Sequence, residues 1–284
     1  MRPDVSVGLA LGGGGARGIA HIHVLAALDE LGIRPAIVAG TSIGAILGAA
    51  YASGMSAADI RDYVRLRLVD RWKLANDLIR AAGARRQKDA QTPGSRTRRR
   101  FDLLHLLQSM MPEDFPARFE ELEIPTKVVA TDFFAQAERV FDSGLLMPAL
   151  AASAAAPMIF RPVTFDGAVY VDGGATNPVP FDILAGQADI VIAVDIIGDN
   201  VARTAAPVGR LDVLTASSHI MQRSIMNAKR AIFEPHALLR PDIDGVRVHD
   251  FLRVERILDR TASAKDRFKR EIGAALETAT GRRP

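Results

Sequence analysis

Residues 5–18 read VSVGLALGGGGARG, and this stretch decides the class of fold. Val5–Leu11 is a short apolar run that ends in glycines, which is typical of a buried parallel strand. A helix is expected to follow over Ala16–Leu31. Pro35–Ala39 forms a second apolar run, and Gly40–Gly44 joins it to a helix of small residues. The pattern of strand, turn and helix therefore occurs twice near the start of the chain.

Further strands and helices alternate along the rest of the chain. The pattern predicts strands at Thr126–Thr131, Arg139–Asp142, Ala168–Val171 and Ile190–Ile196. It predicts helices at Leu145–Ala155, Phe181–Ala185, Val213–Ala231 and Arg253–Thr278. Alternating units of this kind favour an α/β fold of three layers, α/β/α, in which helices cover both faces of a mostly parallel central sheet.

The length of 284 residues and the apolar fraction of 48% fit one domain, residues 1–284, better than two. Ser56–Ala82 has helical periodicity, whereas Gly83–Arg100 lacks large apolar residues and predicts a surface loop. We therefore expect a basic insertion of helix and loop at about 56–115. A helical C-terminal extension is expected at about 211–284.

The composition excludes several classes of function. The chain has no cysteine, which removes disulfides, thiolate zinc sites and cysteine nucleophiles and is compatible with a reducing compartment. A net charge of +3 and an aromatic fraction of 6% argue against nucleic acid as a partner. Neither a secretory signal nor an uncharged apolar stretch of about 20 residues is visible. These features predict a soluble, cytoplasmic protein and leave its oligomeric state open.

Positive charge is concentrated in one segment. Between Arg61 and Arg100, thirteen Lys or Arg residues stand against four Asp residues. Such a segment can cover a cleft as a lid and contact an anionic membrane surface peripherally, since each basic residue near that surface adds about 1 kcal/mol. The alternative is a solvated helix face followed by a flexible loop.

Gly40-Thr41-Ser42-Ile43-Gly44 is a G-x-S-x-G element between a predicted strand and a predicted helix. A sharp turn at this place exposes the serine hydroxyl, and the flanking glycines let the backbone approach a substrate. Ser42 is therefore the candidate nucleophile. Because the pentapeptide is short, a chance occurrence is the alternative.

Four glycines, Gly12–Gly15, follow the first predicted strand and precede a helix. Their N–H groups and the helix dipole can converge on a negative charge, as an oxyanion hole requires. Gly13, Gly15 and Gly18 also satisfy the G-x-G-x-x-G pattern of dinucleotide sites, and a simple tight turn is a third interpretation. The second strand, however, ends at Ser42 without the acidic residue that binds a ribose. No Lys-Ser or Lys-Thr follows the glycines to make a P-loop.

Asp172-Gly173-Gly174 comes directly after the predicted strand Ala168–Val171. In an open α/β sheet, active sites lie at the carboxyl ends of the strands, so Asp172 is the candidate base for Ser42. A turn is the alternative, since Asp-Gly is a common turn dipeptide. In a parallel sheet the glycine block, Ser42 and Asp172 would share one edge.

The chain resembles the patatin-like phospholipase family from Val7 to Ile196. Three motifs carry the resemblance: the glycine-rich block Gly13–Gly18, the nucleophile elbow Gly40–Gly44 and the D-G-[AG] block at Asp172. Their order and spacing agree with the family. Further segments similar to those around the family's catalytic aspartate are Ala152–Pro157, Phe160–Val163 and Asn177–Pro180.

The resemblance implies a serine acyl hydrolase that cleaves carboxylic esters of lipids, of the phospholipase A, lysophospholipase or esterase type. It implies a three-layer α/β/α fold, a dyad of Ser42 and Asp172 that works through an acyl-enzyme, and an oxyanion hole of Gly13, Gly14 and Gly15. The expected partner is a lipid or another acyl-ester substrate, and no cofactor or metal is required. The alternative is a catalytically silent or regulatory member of the family that binds lipid or a protein partner.

A dyad requires its carboxylate to be a stronger base than a free carboxylate. A free carboxylate has a pKa of about 3.9 and is a weak base for an alcohol, so burial is expected to raise the pKa of Asp172. A triad is the alternative, because the chain order Ser, Asp, His is that of the α/β-hydrolases. Its candidates are the histidines that follow Asp172: His219, His236 and His249. The pair His21 and His23 lies on different sides of a predicted helix and is not expected to form a metal site.

Overall fold

The computed structural model describes residues 5–65, 103–157, 159–198 and 210–279. In these residues one sheet has eight strands: β1 (Val7–Leu11), β2 (Ile37–Thr41), β3 (Thr126–Asp132), β4 (Ala137–Phe141), β5 (Val163–Phe165), β6 (Ala168–Asp172), β7 (Ile190–Val194) and β8 (Ala237–Leu239). Their spatial order is β5-β6-β3-β2-β1-β7-β8, and β4 pairs with β3 off this path.

The described helices surround the sheet. They are α1 (His21–Leu31), α2 (Ile43–Ala52), α3 (Ala57–Tyr63), α4 (Leu103–Met110), α5 (Leu146–Ser153), α6 (Arg210–Ile232), α7 (Val254–Ala262) and α8 (Ala264–Ala279). The predicted helix at Leu145–Ala155 is confirmed as α5, and the one at Val213–Ala231 is confirmed as α6.

The sheet is mixed. The strands β3, β2, β1, β7 and β8 are parallel neighbours, which confirms the predicted parallel centre. On one side, β4 and β6 run antiparallel to β3, and β5 runs antiparallel to β6. Every residue of β1, β2 and β7 is buried, which explains why these strands are continuous apolar runs in the sequence.

Neighbouring residues of β1 face opposite layers of the protein. Leu9 belongs to the core that α1 and the C-terminal helices cover, where Phe268 is fully buried. Ala10 faces the other layer, against Phe181 and against Met226 of α6. Because both faces of the sheet are covered, the predicted α/β/α arrangement is confirmed.

Three predicted helices differ in detail. The helix expected over Ala16–Leu31 begins as a 3-10 turn at Gly15–Ala20, and the one expected at Phe181–Ala185 is only the 3-10 turn Asp182–Leu184. The helix expected over Arg253–Thr278 divides into α7 and α8. Apolar periodicity does not distinguish a 3-10 turn from an α-helix over one or two turns, which accounts for these differences.

Part of the predicted insertion is outside the described residues. The helix expected over Ser56–Ala82 is described only as far as residue 65, and α3 begins at a capping box formed by Ser56 and Asp59. The loop expected at Gly83–Arg100 lies outside the described residues. Among the helices that are described, none combines the length and the apolar character that crossing a bilayer requires.

Candidate active site

Ser42 lies between β2 and α2 in a backbone conformation that few residues adopt. Its φ of 55° and ψ of −122° fall outside the regions normal for a serine. Two glycines make the turn possible. A Cβ on Gly40 would lie 2.4 Å from the Cα of Ala45, and a Cβ on Gly44 would lie 2.2 Å from the carbonyl oxygen of Leu11. Backbone packing therefore requires the G-x-S-x-G spacing, and strain of this kind is typical of turns that carry a functional residue.

Ser42 and Asp172 are in direct contact. The Ser42 hydroxyl donates a hydrogen bond to Oδ2 of Asp172 at 2.6 Å. The N–H of Gly174 donates to the other carboxylate oxygen, Oδ1, at 2.8 Å. The structure thus brings together the two side chains that the sequence pairs as nucleophile and base.

The strand that carries Asp172 reaches Ser42 in an unexpected direction. β6 runs antiparallel to β3, and Asp172 lies opposite Ala130, close to the carboxyl end of β3. On the other side of β3, Val129 is paired with Thr41, the neighbour of Ser42. β6 therefore runs in the direction opposite to the parallel strands, and its last residue lies beside the elbow. The expectation that all three segments end parallel strands is wrong for β6, although the segments do meet.

Gly173 lets Asp172 approach the elbow closely. A Cβ on Gly173 would lie 2.2 Å from the carbonyl oxygen of Val129 and 3.1 Å from Cγ2 of Thr41. Any side chain at this position would push the Asp172 turn away from β2 and β3. The glycine after the aspartate is therefore a packing requirement of the contact with Ser42.

The carboxylate of Asp172 has the character of a base that titrates near neutral pH. Burial raises the pKa of Asp172 to about 6, although the hydrogen bonds from Ser42 and Gly174 act in the opposite direction. A carboxylate with a higher pKa holds a proton more strongly, so it is a better base for a hydroxyl group. The direction of this shift is the one that the sequence analysis predicts.

The glycine block after β1 lies against the elbow. A Cβ on Gly13 would be 3.3 Å from the Cβ of Ser42. The N–H of Gly13 donates to the carbonyl oxygen of Pro178 at 2.9 Å, so Gly13 does not fit the role expected for it as an oxyanion donor. Within the described part of the chain, the N–H groups of Gly14 and Gly15 have no hydrogen-bond acceptor. These two groups are free to meet a negative charge.

The C-terminal region supports the glycine block. Gly15 has a φ of +59°, and a Cβ on it would lie 2.3 Å from the carbonyl oxygen of Val248. The same carbonyl accepts the N–H of Ala16 at 2.9 Å. Arg17, to which the sequence assigns no catalytic role, donates its Nε–H to the carbonyl oxygen of Val246 at 2.8 Å. Its guanidinium donates hydrogen bonds to backbone carbonyl groups and so links the glycine block to other segments of the chain.

Ser153 contacts the elbow in a role that was not evident from the sequence. It ends α5 and is fully buried; its hydroxyl accepts the N–H of Ser42 at 2.8 Å and donates to the carbonyl oxygen of Val129 at 2.6 Å. Two residues later, the carbonyl of Ala155 accepts the N–H of Asp172 at 3.1 Å. One short segment therefore fixes the backbone of both dyad residues. A single hydroxyl in an alanine-rich helix was the signal for this role.

The histidines that follow Asp172 are not bonded to the dyad. Within the described residues, no hydrogen bond joins a histidine to Ser42 or Asp172. The Nδ1 of His236 accepts the N–H of Val191 at 3.0 Å, on β7. Burial, together with nearby arginines, lowers the pKa of His219 to about 4, so this imidazole is neutral near pH 7.

His21 and His23 contact separate backbone groups. Nε2 of His21 lies 2.9 Å from the carbonyl oxygen of Gly12, and Nε2 of His23 lies 2.9 Å from that of Leu258. Burial lowers the pKa of His21 to about 4. Over the described ranges, no group of three or more His, Asp or Glu residues is placed to hold a metal ion.

The chain is similar to known proteins in sequence and in structure. A family model described as patatin-like phospholipase matches residues 9–185. An uncharacterized NTE family protein of Mycobacterium bovis is 36% identical over 210 residues, which are 71% of this chain and 52% of that protein. Lysophospholipase nte1 of Aspergillus fumigatus is 28% identical over 278 residues, which are 89% of this chain and 17% of that protein. The crystal structure of VipD from Legionella pneumophila is 16% identical in sequence, with a TM-score of 0.45. The match covers 94% of this chain and 67% of the VipD chain.

The chain spans about half the length of the mycobacterial relative and a smaller share of the fungal one. The region matched by the family model covers more than half of the chain. It contains the glycine block, the strained Ser42 and the Asp172 carboxylate that accepts its hydrogen bond. This chain belongs to the patatin-like phospholipase family.

Proposed function

We propose that this protein is a serine acyl hydrolase that cleaves the carboxylic ester bonds of lipids, of the phospholipase A, lysophospholipase or esterase type. The observation that carries the proposal is the 2.6 Å hydrogen bond from the Ser42 hydroxyl to Asp172, formed at a strained turn. The two unbonded glycine N–H groups beside that turn support it. The naming of a fungal relative as a lysophospholipase supports the class of substrate.

In the proposed mechanism, Asp172 accepts the proton of Ser42 while Oγ attacks the carbonyl carbon of the ester. The N–H groups of Gly14 and Gly15 stabilise the oxyanion that forms. The C–O bond to the alcohol then breaks, Asp172 returns the proton to the leaving alkoxide, and an acyl-enzyme remains on Ser42. Water attacks this ester and gives a proton to Asp172, which passes it to Oγ as the C–O bond to Ser42 breaks; the fatty acid is released and the serine is restored.

The test of this proposal is reaction of the wild-type protein with a fluorophosphonate probe, followed by peptide mapping. Hydrolysis of a short-chain ester and of a phosphatidylcholine is measured alongside. We expect one probe per chain, on Ser42, and hydrolysis of both esters. Labelling without hydrolysis of any ester would favour the alternative, a regulatory member of the family that binds lipid. Absence of labelling would contradict the assignment of the nucleophile.

Activity on a neutral short-chain ester is expected to rise with pH through an apparent pKa of about 6, because burial raises the pKa of Asp172 to about 6. Asp172 accepts a proton only when it is ionised, so kcat/KM should fall about tenfold for each pH unit well below this value. The measurement is kcat/KM between about pH 4.5 and 8, with circular dichroism as the control for folding. A limb centred near the ordinary carboxyl pKa would contradict the role of burial.

Replacing Ser153 by alanine is expected to lower kcat roughly ten- to a hundredfold with little change in KM. The substitution leaves the buried N–H of Ser42 without an acceptor and frees the strained turn to relax. The rate of fluorophosphonate labelling should fall with kcat. Ser153→Thr, which keeps a hydroxyl, should recover part of the loss.

The matched control for this positioning residue is Thr126→Ala. Thr126 is buried at the amino end of β3, where its hydroxyl donates to the carbonyl of Ile124 at 2.8 Å. Loss of that buried hydroxyl should leave kcat within about twofold of the wild type. An equal effect of the two substitutions on kcat would show that Ser153 acts only through general stability.

The organisation and location of the protein form the last part of the proposal. Residues of α1 and α8 share one core, which supports a single domain with a C-terminal extension. The absence of cysteine supports a cytoplasmic location, and the thirteen basic residues between Arg61 and Arg100 support peripheral contact with anionic membranes. Sedimentation with vesicles of increasing phosphatidylglycerol content tests that contact, and binding that is independent of this content would contradict it.

A further inference from the structure

The exposed positions of α6 over residues 213–232 are mostly apolar, which is the reverse of an ordinary surface helix. Ile220 is 64% exposed and Met221 is 59% exposed. Over residues 213–232 none of the exposed positions carries a charge; they are Val213, Leu214, Ser217, Ile220, Met221, Ser224, Asn227, Ala228, Ala231 and Ile232. Exposed apolar surface of this extent marks a site of interaction.

Two charged residues of α6, Arg223 and Lys229, face the protein instead. Lys229 donates to Glu138 at 3.0 Å and to Asp182 at 2.5 Å. Between residues 213 and 232, only Met226 is fully buried. Ion pairs and hydrogen bonds therefore contribute to holding the inner face of the helix. This attachment leaves the apolar side chains on the outside.

The helix borders the dyad. A Cβ on Gly174 would lie 2.9 Å from Nε2 of Gln222 and 3.0 Å from Oδ1 of Asp172. Gln222 therefore lies beside the turn that carries the Asp172 carboxylate. Gln222 directly follows Met221 in the chain, so the segment of α6 that carries the exposed Ile220 and Met221 is the segment that packs beside this turn.

The turn between β3 and β4 is a second exposed apolar element near the dyad. Phe133 is 53% exposed and Phe134 is 78% exposed. A groove of about 490 Å³ connects these rings with Ala175 and Thr176, which follow Asp172. The ion pair between Lys229 and Glu138 joins β4 to α6. Two apolar elements thus flank the same turn at the dyad.

We propose that the outward face of α6, together with the turn at Phe133 and Phe134, docks the protein on the surface of a lipid aggregate. The inference rests on the proposed lipid hydrolase and names the surface through which it meets its substrate. The position of this surface beside the dyad indicates that its binding partner is a lipid aggregate. A lipid aggregate bound beside the dyad supplies substrate, whereas a second protein copy bound there would obstruct access to Ser42. The lack of charge on the outward face also fits insertion among acyl chains and predicts that binding to phosphatidylcholine, which has no net charge, does not depend on salt.

The test uses Ser42→Ala protein as the parent, so that binding is measured without hydrolysis. Vesicles of phosphatidylcholine alone are sedimented with the parent and with the same protein carrying Ile220→Ser and Met221→Ser. We expect the parent to bind at low and at high salt. The double substitution should lower the partition coefficient at least about tenfold, because two large apolar side chains no longer enter the lipid.

The matched control is Leu145→Ser in the same parent. Leu145 is 48% exposed and precedes α5 at the end opposite Ser153, so the substitution removes a comparable apolar side chain away from the elbow. Its partition coefficient should stay within about twofold of the parent. Circular dichroism of each variant checks that α6 remains helical.

A second measurement restores Ser42 and compares two substrates. The double variant should hydrolyse a monomeric short-chain ester at the wild-type rate, while its rate on phosphatidylcholine vesicles should fall by the same factor as binding. Because the binding assay needs no activity, failure of the proposed hydrolase and failure of the docking surface give different results.

Three outcomes would overturn the docking proposal. The first is no binding of the parent to vesicles, and the second is equal binding by the parent and the double variant. The third is a molecular mass in solution, measured by sedimentation without lipid, that is lower for the double variant than for the parent. This result would assign the surface to a second copy of the chain.

Discussion

Replacing Ser42 by alanine is expected to abolish ester hydrolysis and fluorophosphonate labelling together. The change removes the atom that forms the acyl-enzyme but leaves a Cβ in the same strained turn. From the behaviour of serine hydrolases generally, kcat/KM should fall on the order of 10⁴-fold or more. The measurement is hydrolysis of a short-chain ester, with enzyme concentration set by absorbance because the probe no longer titrates the variant.

Ser109→Ala is the matched control for this loss. Ser109 lies on α4, where its hydroxyl donates to the carbonyl of Leu106 at 2.8 Å and contacts neither member of the dyad. This variant should keep wild-type kcat/KM and full labelling. Substantial hydrolysis by Ser42→Ala, confirmed free of contaminating esterase, would show that another group is the nucleophile.

Replacing Asp172 by asparagine is expected to lower kcat about a thousandfold, the usual contribution of a general base. Asparagine has the same size, and its carbonyl oxygen can still accept the N–H of Gly174. It cannot take the proton of Ser42. Labelling should therefore become much slower without being lost. The activity limb near pH 6 should be absent from the residual rate, because the group that titrates there has been removed.

The alternative triad predicts a different result. Under the dyad, each of the single alanine variants of His219, His236 and His249 should retain most of the wild-type kcat, because none of these histidines bonds to Ser42 or Asp172 in the described structure. A loss in one of them as large as in Asp172→Asn would establish a triad in place of the dyad.

The elbow and the dyad were predictable from sequence because steric contact limits the residues allowed there. Gly40, Gly44 and Gly173 each meet backbone atoms at distances that no Cβ tolerates. These positions therefore leave a signal in the sequence that does not depend on the rest of the fold. The continuous apolar runs of β1, β2 and β7 are a similar signal, because strands buried on both faces need no polar alternation.

The direction of β6 was not predictable in the same way. Five residues with strand propensity fit either orientation, and only the pairing of Asp172 with Ala130 decides between them. The same limit applies to the glycine block. Adjacent glycines look alike in sequence, whereas the carbonyl of Pro178, distant in the chain, determines that the N–H of Gly13 is occupied.

The orientation of α6 shows a further limit. Periodicity indicates that a helix has two unlike faces. It does not show which face packs on the core, and the apolar face is only the usual choice. Here Glu138 and Asp182 bind Lys229 on the inner side, while Ile220 and Met221 are exposed on the outer side. The role of Ser153 was also hidden, because its two partners come from β3 and from the elbow.

The support that Val248 gives to Gly15 and Ala16 has a consequence for the order of events on the ribosome. β1 pairs with β7 as well as with β2, so the first strand waits for residues near 190 before it gains its second neighbour. The glycine loop after β1 gains its contact with the carbonyl of Val248 only after that residue has been translated. A nascent polypeptide that already contains both dyad residues would thus lack part of the scaffold around them. On the proposed mechanism, ester cleavage begins only after the residues around Val248 have been synthesised.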